Sequence, residues 1–473
     1  MSSSVTGLSN HPATTLKLGR LVEWIDKRAD VLILAVVGLI FLVRAGYFFV
    51  QVYPVDQIER PDGYWTIAEN LLNGRGYRYD AYMADTNVLT AKRGPTTVLF
   101  LWLSFSIFGI NFWPVLIAQW AFDAAVGWLI YRIARSIFPH GNYVGILAAL
   151  MYAVYPYEWK YTAMALGEPL FAFLLAGCVL SLLKALEKPS LARFALSGFL
   201  LGLAYHSRPT LLAFPLVVLF LLFFKFKRDR SIVIRSFAAY LAAFVLMLLP
   251  WVVRNYLVFH AFVPGTTLLG YNVYHDFLGH LEAQNLIRDE EGRLLVDEEL
   301  LPHLRVPDYR LGKSEAELDK LWLGMGWELI KVSPGEYIKW SFNNLSRLWL
   351  NLGRPRWHDL NPSGFSYVTV LNGTILLLSL AAYVFYRGSW MKSSLPVLLL
   401  IVYLTALHTF TYGYIRYSIP MIPYVLMLSA HTLLEWIKSA SRRLWAPVRR
   451  FAGVPSSSRM HSWANNKPRR VDR

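Results

Sequence analysis

The sequence predicts an all-α polytopic membrane protein with about ten (8–13) transmembrane helices, interfacial helices in the first outer loop and a small, mainly helical extracytoplasmic region. Three observations carry this prediction. Hydrophobic residues make up 55% of the 473-residue chain and charged residues only 16%, against about 25% charged in an ordinary soluble protein. The mean hydropathy is +0.37. Ten apolar runs approach the roughly 20 residues that cross a bilayer. Disorder of the whole chain is excluded by the same apolar content. The single cysteine, Cys178, excludes a disulfide scaffold and a cysteine-based zinc or iron–sulfur site.

The expected spans are 31–50, 113–137, 143–157, 168–186, 191–205, 210–226, 232–253, 367–386, 395–410 and 419–437. The run 96–108 is apolar but short, and reads as a helix lying in the membrane interface. The first span is too long for a signal peptide and lacks a small-residue cleavage site, so it is expected to be an uncleaved anchor. Charge then orients the bundle. With the N-terminus in the cytoplasm, the inner segments hold 26 Lys and Arg and the short outer loops hold eight, which is the positive-inside bias and places both ends inside. The formal net charge of +16 is therefore a topology signal and does not indicate a nucleic-acid partner. The expected organisation is a cytoplasmic segment 1–30, a membrane module 31–253 containing the outer loop 51–112, an extracytoplasmic region 254–365, the helices of 366–437 and a basic tail 438–473.

The region 254–365 is different in kind. Ser314 followed by Glu315 and Glu317 reads as a capped helix start. Ser333-Pro334-Gly335-Glu336 opens a second helix, with proline near its first position. Trp340, Phe342, Leu345, Leu348 and Trp349 would give that helix an apolar face for the membrane surface.

Polar groups next to membrane spans are costly and need reasons. The first outer loop carries Asp56, Glu59 and Asp62, and a carboxylate there can act as a general base; taken singly, each also reads as a solvated or helix-capping acid. Lys92 and Arg93 can clamp a phosphate or snorkel to lipid headgroups. Glu158 and Glu168 flank the outer mouth of a span, and Glu168 is also well placed against a helix dipole. Asp62 and Glu168 together would offer oxygen ligands for Mg²⁺ or Mn²⁺. Arg208, Arg254 and Arg416 lie at outer ends of spans, where the positive-inside rule disfavours them, and suit an anionic lipid-linked ligand or an interfacial anchor. Asp123 shares a helix face with Gln119 inside a span and reads as a structural hydrogen-bond partner. Walker A, HExxH, dinucleotide-binding and GxSxG motifs are absent, and the histidines show no metal-like spacing.

These motifs, in this order, resemble the GT-C glycosyltransferases of the protein-mannosyltransferase and aminoarabinose-transferase type (glycosyltransferase family 39-like), over roughly residues 31–437. The family's Tyr-x-x-Ile-Ala-x-x-Leu-x-x-Gly helix resembles Tyr64, Ile67, Ala68, Leu71 and Gly74. Its later steps resemble Arg93-Gly94-Pro95, Gly167-Glu168-Pro169-Leu170-Phe171 and Ser207-Arg208-Pro209-Thr210. The last two resemble Pro250-Trp251-Val252-Val253-Arg254-Asn255 and Arg416-Tyr417-Ser418-Ile419-Pro420. The chain departs from the pattern at one place. The family's aspartate often lies four residues before the tyrosine, where this chain has Arg60. Asp62, then Asp56, is taken as its counterpart.

The resemblance implies an inverting hexosyl- or pentosyltransferase of the bacterial inner membrane, active on the extracytoplasmic side. Its donor would be a polyprenyl-phosphate sugar and its acceptor a lipid, glycan or protein, with membrane lipids as the other partners. Asp62 or Asp56, with Glu168, would be catalytic. Lys92, Arg93, Arg208, Arg254 and Arg416 would bind the donor phosphate, and Tyr64, Glu158, Asn255 and Tyr417 would position substrate. The competing readings are a polymerase or ligase using lipid-diphosphate glycans, and a secondary transporter. A transporter would place its polar groups at mid-membrane, whereas here they crowd the outer ends of spans.

Overall fold

The computed structural model describes residues 11–54, 61–79, 88–283, 313–352 and 367–451. Among these the chain is helical, and its one β-feature is an isolated bridge between Arg78 and Leu89. The helices in order are α1 (His11–Gln51), α2 (Tyr64–Leu72), α3 (Pro95–Phe108), α4 (Phe112–Ile137), α5 (Gly141–Ala153), α6 (Pro156–Thr162), α7 (Glu168–Glu187), α8 (Leu191–Ser207), α9 (Phe214–Phe226) and α10 (Arg230–Phe259). They continue as α11 (Leu269–Ala283), α12 (Glu315–Val332), α13 (Pro334–Leu350), α14 (Tyr367–Phe385), α15 (Trp390–Phe410) and α16 (Ile422–Phe451).

Each expected span falls wholly or largely on helix, and among the described residues seven helices are long and apolar enough to cross a membrane by length and composition. The shorter ones have a local cause in proline. Pro156 opens α6 just after α5 has ended, so 143–157 is not one rod. Pro209 follows the end of α8, and Pro215 sits in the first turn of α9; proline lacks the N–H that would continue a helix. The apolar run after Gly94 forms α3, as expected, with Pro95 in its first turn.

The bundle core is α4, α5, α7 and α16, whose buried Tyr131, Tyr152, Leu175, Leu182 and Met427 belong to one apolar cluster. Large apolar side chains on the periphery stay exposed, among them Leu42 on α1, Phe223 on α9, Leu246 on α10 and Leu377 on α14. A belt of that size needs lipid to cover it. Small residues allow close crossings inside the bundle. A Cβ on Gly198 of α8 would lie 2.0 Å from the Tyr240 carbonyl oxygen of α10, the close backbone approach that membrane helices use.

Asp123 finds its partner in Arg44, the lone basic residue within the first span. Arg44 Nε donates to Asp123 Oδ2 at 2.6 Å, and its Nη atoms donate to the carbonyls of Ala153 and Tyr152. The Tyr152 hydroxyl donates to the other Asp123 oxygen. All four donors and acceptors belong to α1, α4 and α5, so the cluster ties three helices together with its charge compensated.

The described residues between α10 and α14 are largely helical, as expected. Ser314 caps α12 through a reciprocal box with Glu317. Helices α11 and α12 pack through Tyr274, Phe277, Leu318, Trp322 and Met325. The expected membrane-facing side of α13 is corrected here. Trp340, Leu348 and Trp349 are buried within the protein, and of the named residues Phe342 stands exposed. Trp340 packs on Phe277 and Tyr337 instead.

Two predictions follow from this packing. Asp123→Ala leaves Arg44 charged and uncompensated in the bundle and should cost roughly 3–5 kcal/mol, read as a lowered melting temperature in detergent; the Arg44→Met/Asp123→Leu pair should cost less than Asp123→Ala alone. Asp319 on α12 accepts from the backbone N–H groups of Gly270 and Tyr271, and burial pushes its carboxyl up from 3.8 to about 6 despite those bonds. The folded state therefore holds this proton more tightly, so stability is greatest below 3.8 and declines as pH rises towards 6. Melting curves of wild type against Asp319→Asn across that window should differ by this slope, and parallel curves would refute it.

Candidate active site

Five chain segments converge at one end of the bundle, and each is aimed by a helix terminus. Asp62 lies in a 3-10 turn before α2, with φ 70° and ψ 0°, and Gly63 follows at φ 73°. Two successive left-handed residues turn the chain sharply. At Gly63 a side chain would also collide with the Tyr79 ring, 2.1 Å from where its Cβ would sit. Non-glycine residues take this conformation at a cost and often at functional positions. Arg93 precedes α3, Glu168 is the first residue of α7, Arg208 caps the C-terminus of α8, and Arg416 sits in a 3-10 turn ahead of α16.

These side chains form one chain of charges. Arg416 Nη2 donates to Asp62 Oδ2 at 2.5 Å, and its Nε donates to Glu168 Oε1. Arg208 donates to the same Glu168 oxygen. Arg93 grips Asp62 twice, with Nε on the backbone carbonyl at 2.5 Å and Nη2 on Oδ1 at 3.2 Å. Three guanidiniums thus surround two carboxylates, and Arg416 bridges them, as its planar fork permits. Glu168 is 1% exposed, whereas Asp62 and Arg416 are each 25% exposed. Glu168 Oε2 is buried without a hydrogen-bond partner among the described residues. Burial alone would raise the Asp62 carboxyl, but Arg416 and Arg93 outweigh it and hold the group well below the usual carboxylate range.

Two glycines bring these segments together. A Cβ on Gly94 would lie 2.0 Å from the His206 carbonyl oxygen, and one on Gly167 would lie 2.6 Å from Thr97 Oγ1. The Thr97 and Ser207 hydroxyls bond at 2.9 Å across the same seam. Aromatic rings support the arginines. Arg93 lies over Tyr64 at 5.6 Å and Arg208 over Tyr417 at 5.0 Å, and Tyr417 stacks on His408.

Of the residues expected from the sequence, Asp62, Glu168, Arg93, Arg208, Arg416, Tyr64 and Tyr417 meet here. Lys92, Arg254 and Asn255 lie in a neighbouring cluster. Lys92 pairs with Glu315 at 3.7 Å. Arg254 donates to the carbonyls of Thr90 and Tyr77 and to Asn255, and Asn255 donates to Val263. Glu315 also accepts from Thr90, Ala91 and Thr267. These groups fasten the loop between α2 and α3 to α10 and α12. Glu158 on α6 is buried, with Oε1 lacking a hydrogen-bond partner among the described residues. Burial, and then the nearby Asp123 charge, push its carboxyl well above the ordinary range. Asp56 lies outside the described residues.

Sequence reasoning missed the roles of Glu315 and Arg44. Glu315 reads in the sequence as a first-turn acid of a helix, and its partners are at least 48 residues away. Arg44 had a signal: one lone cation and one lone anion, each within an apolar span, are natural mates.

The arrangement does not fit the Mg²⁺ or Mn²⁺ considered from sequence. The Arg416 guanidinium occupies the position between Asp62 and Glu168 that a bridging cation would take. Among the described residues no group of three or more His, Cys, Asp or Glu converges as metal ligands.

With this geometry in hand, comparison with known proteins is informative. A family model described as dolichyl-phosphate-mannose-protein mannosyltransferase matches residues 92–253, which contain α3 to α9 and most of α10. No curated protein matches the sequence. The oligosaccharyltransferase AglB from Archaeoglobus fulgidus, in complex with an inhibitory peptide and a dolichol-phosphate, superposes with a TM-score of 0.53 at 15% identity, over 92% of this chain and 53% of that one. The chain shares the fold of the part of this oligosaccharyltransferase that it superposes on. The A. fulgidus oligosaccharyltransferase complex with Zn and sulfate also aligns, with a TM-score of 0.51 and 15% identity over 89% of this chain and 51% of that one. ArnT from Cupriavidus metallidurans bound to undecaprenyl phosphate aligns over 88% of this chain and 79% of that one, at 14% identity and a TM-score of 0.35. The chain spans about half the length of the oligosaccharyltransferases it matches.

Arg416→Met should leave Asp62 and Glu168 facing each other without the cation between them. The expected loss is about 3 kcal/mol, the low end for a buried ion pair because Arg416 is partly exposed. Adding Glu168→Gln should recover part of it. Melting curves in detergent read both, and an unchanged midpoint for Arg416→Met would show that the bridge contributes nothing.

Proposed function

We propose that the chain is a membrane glycosyltransferase that moves a sugar, hexose or pentose, from a polyprenyl-phosphate donor to a lipid, glycan or protein acceptor, with inversion. The supporting observation is the Arg416 bridge between Asp62 and Glu168, with Arg93 and Arg208 at its two ends. Three arginines around two carboxylates leave one net positive charge, which suits a phosphate leaving group. Inversion in one displacement needs a base on one face of the sugar and stabilisation of the leaving group on the other. Asp62 is the base in this reading, and Arg416, Arg208 and Arg93 carry the phosphate.

The resting geometry adds a condition. Gripped by Arg416 and Arg93, Asp62 is a weak base. A donor phosphate competes for the same guanidiniums, and as it draws them away the basicity of Asp62 rises. The base is thereby strengthened when the donor is present, which disfavours idle proton abstraction. Glu168 holds Arg208 and Arg416 in place, and Tyr64 and Tyr417 orient Arg93 and Arg208 through their rings. Lys92, Arg254 and Asn255 act at one remove, by holding the loop that carries Arg93. The charge bias of the loops supports an extracytoplasmic site and cytoplasmic termini; the bacterial inner membrane is what the family resemblance implies.

Membranes containing the full chain, supplied with a panel of polyprenyl-phosphate sugars and read by acceptor mass, test this directly. Asp62→Asn should lower transfer by roughly 10²–10⁴-fold, the usual contribution of a general base. Asp62→Ala with full transfer would sink the assignment. Because Arg416 stands where a bridging cation would, a chelator should leave the wild-type rate unchanged, and loss of activity restored by Mg²⁺ or Mn²⁺ would overturn that part.

A further inference from the structure

At the opposite end of the bundle, α1, α4 and α7 enclose a cavity of about 460 Å³. Lys184 lies 16 residues along α7 from Glu168, which is about 24 Å at 1.5 Å per residue, so the cavity and the arginine-bridged site sit at opposite faces of the membrane. Its walls are of two kinds. Ile33 and Leu34 of α1 and Trp128 of α4 are apolar, and Arg132, Arg135 and Lys184 are cationic. Trp128, Arg132 and Arg135 share one face of α4, spaced four and three residues apart.

The three cations are neutralised unequally. Arg135 donates to Asp30 at 3.0 Å, and Asp30 also accepts from the Tyr131 hydroxyl. Lys184 pairs along its own helix with Glu187, both half exposed. Arg132 stacks on the Trp128 ring, 4.9 Å from its centroid, and no carboxylate pairs with it among the described residues. The cavity therefore carries a positive excess, next to a tryptophan, beside lipid-facing Leu34, which is 63% exposed. Tryptophan rings favour the headgroup level of a bilayer, and basic pockets between membrane helices hold anionic headgroups.

We propose that this cavity binds the phosphate headgroup of an anionic phospholipid from the leaflet opposite the Asp62–Glu168 site, with the acyl chains running along Leu34. Arg132 is the principal phosphate ligand, since the Trp128 ring fixes it while leaving its donors free. Lys184 is the second. Asp30 limits affinity by occupying Arg135. The recognised chemistry is a phosphate ester anion, and the apolar wall of α1 selects the lipid-borne form over free phosphate.

Native mass spectrometry of the full chain, released from detergent after incubation with phosphatidylglycerol, cardiolipin or phosphatidylcholine, tests this. The wild type should retain the anionic lipids in preference to phosphatidylcholine. Arg132→Gln/Lys184→Gln should lose that preference, by roughly fivefold per charge removed. Asp30→Asn frees Arg135 and should raise anionic-lipid retention, a gain that a misfolded variant cannot imitate. Equal retention of all three lipids, an unchanged preference in the double variant, or no gain in Asp30→Asn would each overturn the proposal. Displacement of the bound lipid by excess inorganic phosphate would show a free-phosphate site and overturn the lipid assignment.

Discussion

The end of the bundle that holds Asp62 and Glu168 depends on gathering two carboxylates and three guanidiniums in one largely buried cluster. Any one of these charges left alone there would be costly. They coexist because Arg416 presents different edges of one planar group to Asp62 and to Glu168. A lysine has one point of charge and could not span both. That single bridge dictates much of the surrounding backbone: the left-handed turn that aims Asp62, the bare Gly94 and Gly167 that let the loops close, and the rings of Tyr64 and Tyr417 under the flanking arginines. Residues distant in sequence, from position 62 to position 416, are held in one electrostatic unit.

A second layer keeps that unit assembled. Glu315 accepts hydrogen bonds from Thr90, Ala91 and Thr267, and Arg254 holds the carbonyls of Thr90 and Tyr77. These contacts seat the loop that bears Arg93 without touching the bridge. Deeper in the bundle, Arg44 and Asp123 perform the same kind of service for α1, α4 and α5. The protein thus uses charge both to fasten loops and to pack helices.

Much of this was legible in the sequence, because membrane physics is strongly patterned. Apolar length gave the helices, and charged residues at the outer ends of spans pointed to Asp62, Glu168, Arg208 and Arg416. What could not be read was partnership. Lys92 and Arg93 are adjacent and alike in type, yet one meets Glu315 and the other Asp62. Which way each faces is set by a turn whose geometry depends on residues more than a hundred positions away. Helix lengths were likewise beyond reach: the runs near Pro156 and Pro215 form helices of 13 residues each, because the hydrogen-bond ladder stops at the neighbouring prolines.

Gly94 and Gly167 have a bearing on how this site would be mapped by experiment. Neither carries a functional group, yet at each a single methyl would strike an atom of a neighbouring segment. A saturation scan scored only by survival would rank them beside Asp62 and Glu168. Intolerance to change would then trace the outline of a fit as much as the location of chemistry, and the two separate only when isosteric replacements are compared with larger ones. At the acids, an amide of equal shape removes the property under selection. At the glycines no residue of equal shape exists.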